Sequence, residues 1–155
     1  MRVRGSRKRS VDITVSIVIR REPHVVWPSL VDWERLDRWM LEARDFRLLG
    51  NRREGVGVEA ETTVRIAGIT TRDRIRVTRW EPPWVLEMEH LGWVKGTGYM
   101  ELTPDDRRSK LFWRESLIPP WGWLGAMGLR LMAPFMRRIF QRDLRALRDL
   151  VEQET

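Results

Sequence analysis

Along this chain of 155 residues the apolar side chains keep a two-residue period through most of the length and then change to a helical one. That single change limits the folds available. Val11, Ile13, Val15, Ile17 and Ile19 alternate with Asp12, Thr14, Ser16 and Arg20, the pattern of a strand with one face buried, and only Val18 breaks it. The period returns near residue 45 and persists to about 118. "GVEAETTVRIAG" alternates small or apolar residues with Glu59, Glu61 and Arg65, and "TTRDRIRVTRW" sets Arg72, Arg74 and Arg76 on one face. "EPPW" reads as a turn, because consecutive prolines cannot donate to a ladder, and "TPDDRRS" reads as another. The reading is six consecutive strands joined by hairpins. After them Met132, Met136, Ile139, Phe140, Leu144, Leu147, Leu150 and Val151 gather on one side of a helical wheel, with Arg137, Arg138, Arg142, Arg145 and Arg148 opposite. This is a long amphipathic helix. Pro134 either opens its regular part or kinks it, and "PPWGWLGAMG" before it reads as a loop with a glycine-softened first turn.

Between the first strand and the meander, Trp27, Trp33 and Trp39 stand six residues apart. On one helix six residues turn through about 240°, so no single face can bury all three. Two short helices resolve this: one opening at Pro23, the other beginning at Trp33 behind Asp32 as its cap. The size suits one domain over residues 11–155, with residues 1–10 as a disordered basic arm carrying Arg2, Arg4, Arg7, Lys8 and Arg9. The net charge of +7 owes much to that arm. Cysteine is absent, which removes disulfides and thiolate chemistry and agrees with a cytoplasmic location. No stretch is long and apolar enough to span a bilayer, and the arm is followed by an alternating strand, not by the apolar core of a signal peptide.

Five features in this order resemble one superfamily: the first strand, the frame P-x-x-V-W-x-x-L-x-D-x-x-x-x-x-x-W from Pro23 to Trp39, "GVGVE", "VTRWEPPWVLEME" and the terminal "LRALRDLVE". It unites the major birch pollen allergen, the steroidogenic-acute-regulatory lipid-transfer domains and the bacterial polyketide cyclase/dehydrase proteins (SRPBCC, START-like). The resemblance covers residues 11 to 152. It implies an α+β helix-grip fold, in which a curved antiparallel sheet of six to seven strands wraps a long C-terminal helix and leaves a cavity between them. Strand parity then nominates the lining. With Glu87 and Glu89 facing water, Trp84, Leu86, Met88 and His90 face inward; Met100 does so beside Gly98, where a missing side chain leaves room. Trp113 carries Glu115 inward with it, and Ile75 carries Asp73. From the helix come Met132, Met136 and Asp143.

Each polar member has two readings. His90 titrates near neutrality and suits proton transfer, but more often such a histidine is satisfied by a neighbour. Asp143 inside the apolar stripe either meets a ligand or makes an edge salt bridge with an arginine. Methionines in a wall adapt to a greasy ligand, and equally they are ordinary core. The nucleophile elbow G-x-S-x-G does not occur, two separated histidines give no metal cluster, and "GVG" and "GTG" are not followed by helices as nucleotide loops are. No cofactor or metal is expected. The expected partner is a small hydrophobic molecule such as a lipid, polyketide or aromatic metabolite, bound, carried or, in a cyclase/aromatase version, converted. The rival is a ribosome- or RNA-associated module using the arm and the arginine stripe. Trp121 and Trp123 beside that stripe also suit transient contact with a membrane surface.

Overall fold

The computed structural model describes residues 10–154, so the basic arm falls outside the described residues except for Ser10. Strand β1 (Val11–Ile19) leads into α1 (Pro23–Leu30) and a 3-10 helix over Trp33–Arg38. Then come β2 (Ala43–Leu49), β3 (Glu59–Ile66), β4 (Ile69–Glu81), β5 (Val85–His90), β6 (Lys95–Asp105), β7 (Arg108–Ile118) and α2 (Gly122–Gln153). The meander is one antiparallel sheet in the order β1-β7-β6-β5-β4-β3-β2, with β1 crossing over to pair with β7. One long helix packs on its concave side, which is the helix-grip arrangement.

Bulges bend this sheet. The β2–β3 register slips between Arg44 and Arg47, where Asp45 takes a positive φ of 55°, and the β4–β5 register slips between Val77 and Arg79. An extra residue twists its strand and reverses the facing of the residues beyond it. Before the second bulge Arg72, Arg74 and Arg76 point out, while Ile75 and Val77 are buried. Past it Trp80, of the arginines' parity, turns in and packs edge-on against Trp27 with ring centroids 5.4 Å apart.

The three evenly spaced tryptophans are all buried. Trp39, 1% exposed, sits edge-on to Trp113 at 6.1 Å and donates its indole N–H to the Ser29 carbonyl at 3.1 Å. Trp33 donates to the Arg53 carbonyl at 2.9 Å. The break between the helices is real, but Asp32 makes no side-chain capping bond, and the second helix is a 3-10 turn kinked at Arg35.

The last helix starts earlier than its amphipathic pattern does, at Gly122. Trp121 in the left-handed region (φ 66°) and Gly122 (φ 56°) reverse the chain after Pro119–Pro120. Gly125 lets the first turn close on that reversal, since a Cβ there would lie 1.8 Å from the Pro120 carbonyl oxygen. Pro134 lies inside the helix. At the far end Glu152 accepts from the Arg20 backbone N–H at 2.7 Å and pairs with its guanidinium, while the Glu152 carbonyl accepts from Arg21 at 2.9 Å.

Trp39→Ala removes a buried ring and an internal hydrogen bond. It should cost about 3–5 kcal/mol. A chemical denaturation series measures this; a loss below about 1 kcal/mol would mean that the ring is not part of the core.

Candidate functional site

A cavity of about 200 Å³ lies between α2 and the sheet. Its wall is mostly apolar: Leu30, Trp33, Leu36 and Met40 from the helical segment, Phe46, Val64, Ile66, Ile75, Met88, Met100, Trp113 and Leu117 from the strands, and Leu129, Met136 and Phe140 from α2. Trp93 and Val94, in the β5–β6 connection, reach it from one end.

One charged cluster stands on this wall. His90 lies between two carboxylates, with Nδ1 2.6 Å from Asp73 Oδ2 and Nε2 2.7 Å from Glu115 Oε2. A carboxylate only accepts, so both contacts are satisfied when the ring carries both protons. Burial works against that charge, but the field of Glu115 and the hydrogen bonds of both carboxylates outweigh it, lifting His90 to about 10. Glu115 also accepts from the Trp113 indole N–H at 2.7 Å. Asp73 Oδ1 is buried and has no hydrogen-bond partner among the described residues.

The β5–β6–β7 register explains the cluster. His90 pairs with Gly96 and Ile75, and Gly98 stands opposite Glu115. A Cβ on Gly98 would lie 2.9 Å from Glu115 Oε1, so the space freed by this glycine holds the carboxylate. The expectation that Gly98 leaves room for a ligand is corrected accordingly. Gly92 does the same for Asp73, with a Cβ position 2.8 Å from Oδ1.

A second acidic site joins wall and helix. Glu42, at the entrance to β2, lies on the cavity wall beside Asp143 of α2, which is fully buried. Asp143 Oδ1 accepts from the Leu41 N–H and from Arg142, both at 3.3 Å. Among the described residues Glu42 Oε2 and Asp143 Oδ2 have no hydrogen-bond partner, as two carboxylates side by side cannot donate to each other. One shared proton satisfies both. Burial raises both carboxyls; for Glu42 the Asp143 contact adds to it, and the group rises to about 9.

Of the residues nominated from sequence, Asp73, Ile75, Met88, His90, Met100, Trp113, Glu115 and Met136 lie on the cavity wall. Trp84 does not: it is 45% exposed, because the turn holding the cis Pro82–Pro83 bond ends the alternation before β5 begins at Val85. Leu86 faces inward but is sealed in the core near Trp80, not on the wall. Met132 is half-buried against the core, and Asp143 stands behind the wall and reaches it through Glu42. Glu42 and Trp93 were not foreseen. The one signal for Glu42 was Asp143 itself, a carboxylate in an apolar stripe that had to find a partner. Among the described residues no group of acidic, histidine or cysteine side chains is placed to hold a metal.

Stability should record both protons. A folded pKa raised above the unfolded value gives stabilisation that is complete below the unfolded pKa and is lost as pH rises through the folded one. For His90 that window runs from about 6.5 to about 10, and for Glu42 from about 4.5 to about 9. Glu42→Gln keeps a donor and cannot ionise, so it should gain stability relative to the parent as pH rises from 7 to 10. His90→Gln should be less stable than the parent at pH 7, by a margin that narrows toward pH 10. Denaturant midpoints across pH check both; parallel curves would remove the assigned protons.

The cavity and its two proton-bearing sites sit in a familiar frame. The chain resembles the crystal structure of TTHA0849 from Thermus thermophilus, with 15% identity, 91% of this chain and 97% of that one covered, and a TM-score of 0.78. It also resembles the Zhui aromatase/cyclase from Streptomyces sp. R1128, with 19% identity, 93% and 94% covered, and a TM-score of 0.77. Ara h 8.0201 matches at 12% identity, 92% and 97% covered, and a TM-score of 0.64. At these identities the likeness concerns the fold. No curated protein matches the sequence. The family model described as polyketide cyclase/dehydrase and lipid transport matches residues 10–152, and the chain belongs to that family.

Proposed function

We propose that the protein binds a compact hydrophobic molecule in the cavity, with one hydroxyl-bearing end at the Asp73–His90–Glu115 cluster. Family membership implies a hydrophobic ligand. The observation that supports the finer reading is Asp73 Oδ1: on a mostly apolar wall, beside His90 and Glu115, this buried acceptor has no hydrogen-bond partner among the described residues and favours a ligand that donates a hydrogen bond there. The cavity volume limits the size. Drug-sized ligands occupy about 300–1,000 Å³, and about 150 Å³ already admits benzene. One or two fused rings, or a short branched chain, fit about 200 Å³. The methionines at 88, 100 and 136 can repack around different shapes.

A second reading, a cyclase or aromatase, draws on the same cluster. An imidazolium on the wall stabilises negative charge developing on a carbonyl oxygen as a ring closes. With its pKa near 10, however, His90 keeps its proton at neutral pH and is a poor base there. Two carboxylates already hold both ring nitrogens. The geometry supports binding better than proton transfer. The RNA reading rests on the arm, which lies outside the described residues, and on the arginine stripe of α2, where Arg142 pairs with Glu42 and Asp143 and Arg148 with Asp149, leaving fewer side chains for phosphate.

Native mass spectrometry of the purified protein should show a retained small apolar mass. Met136→Trp, which fills the cavity, should weaken binding of naphthalene and naphthol probes by about tenfold or more, equivalent to about 1.4 kcal/mol. Asp73→Asn should weaken naphthol more than naphthalene. Equal losses would reject the Asp73 contact. No retained mass and no probe binding by the parent would reject the cavity reading.

A further inference from the structure

The outward side of α2 carries two kinds of surface in succession. Trp123, Met127, Leu131 and Phe135 recur every fourth residue and all point to solvent, with Leu124 alongside. Trp123 is 68% and Leu131 79% exposed. This row runs about 18 Å at 1.5 Å per residue. Arg138, Arg142 and Arg145 continue it along the same side, and Arg137 lies next to it. Among the described residues Arg137, Arg138 and Arg145 form no ion pair, unlike the arginines of β4.

The apolar end adjoins the cavity. Trp121, 73% exposed, stacks edge-on against Trp93 at 5.3 Å, and Trp93 is both half-exposed and part of the cavity wall. Leu129, on the inner side of the same helical stretch, lines that wall. The first turns of α2 therefore separate the cavity from solvent by one layer of side chains, with bare indoles at the rim. The Pro119–Pro120 reversal, closed against Gly125, holds this end in shape.

We propose that this face seats the protein on an anionic lipid bilayer. Trp121, Trp123, Met127 and Leu131 enter the interfacial zone, and Arg137, Arg138 and Arg145 meet lipid phosphates. The chemistry fits that occupant in three ways. Indoles favour the headgroup boundary, where one edge is wet and the other apolar. Aliphatic side chains on one side of a helix bury shallowly in acyl chains without crossing them, and no helix among the described residues is long and apolar enough to cross. Unpaired arginines beside the apolar row are attracted by the negative surface potential of such a membrane. Seated this way, the Trp93 end of the cavity opens toward the lipid. Docking does not depend on what the cavity holds.

Flotation of the whole protein with vesicles tests this, comparing phosphatidylcholine alone with phosphatidylcholine plus phosphatidylglycerol. The parent should float with the anionic vesicles at low salt, much less at high salt, and little with the neutral ones. Trp123→Glu with Leu131→Glu should cut flotation about tenfold or more. Replacing Arg137, Arg138 and Arg145 with glutamine should remove the preference for phosphatidylglycerol. Circular dichroism melting checks the fold, and Leu131→Ser alone is read if the double variant does not fold. A parent that does not float, or substitutions that leave flotation unchanged, overturn the proposal. So does a dimer in light scattering that the same substitutions dissolve while vesicles are ignored, or co-purifying RNA that salt removes without any flotation. The naphthalene titration in solution reads the cavity separately: flotation without probe binding removes the proposed ligand and leaves docking, and the reverse removes docking alone.

Discussion

Seven strands at about 4.8 Å spacing make a sheet roughly 34 Å wide, while a helix with its side chains is about 10–12 Å across. One helix cannot cover the apolar face of such a sheet. Much of the architecture answers this mismatch. The bulges in β2 and β4 curl the sheet so that its concave side approaches α2 from more than one direction. Trp27, Trp33 and Trp39, delivered by two short helices, fill ground that α2 does not reach. The space left between Trp33, Phe140 and the middle strands is the cavity. It is a residue of covering a wide sheet with narrow elements, and its outline is set by which side chains are large.

The ionisable groups inside that space stand in clusters, each beside another that can share a proton or a charge with it. An isolated charge in an apolar interior is prohibitively costly. The structure gives two solutions to one problem. Asp73 and Glu115 share one partner, His90, and Glu115 also accepts from the Trp113 indole. Glu42 and Asp143 share a proton, aided by Arg142 on the outside. The first cluster lies wholly within the sheet and ties β4, β5 and β7 at one level. The second ties the sheet's β2 end to the helix, so its protonation state acts on the contact between the two layers.

Alternation made much of this legible. Where one face of a strand is buried, parity alone put Asp73, Ile75, Met88, His90 and Glu115 on the inside, because a one-residue slip would expose the whole set. Parity failed where the backbone departed from it. Trp84 is turned out by the proline turn, and Trp80 is turned in by the bulge at Thr78. The bulge has no signature in a single sequence; "EPPW" marked the turn, but not that Trp84 still belongs to it. The start of α2 was hidden for another reason: residues 121–129 are apolar on both sides, so there is no contrast for a helical period to reveal. Gly98 shows the limit most sharply. Its facing was readable, but the occupant of the space beside it, the Glu115 carboxylate, was a matter of rotamer and packing across strands.

The two halves of α2 are held differently, and this bears on how anything reaches the cavity. Beyond Pro134 the helix buries Met136, Phe140, Asp143, Leu144, Leu147 and Val151, and it is fastened to β1 and the turn after it through Gln141, Glu152, Arg20 and Arg21. Before Pro134 only Ala126 is fully buried, and Gly122, Gly125 and Gly128 lower the helix's own propensity. Proline has no N–H to join the turns on either side of it. Local opening costs least where buried contacts are few, so the first half of α2 is the less firmly anchored of the two. The exposed tryptophans thus stand beside the least anchored part of the cavity wall, while the Asp73–His90–Glu115 cluster is set in the strands.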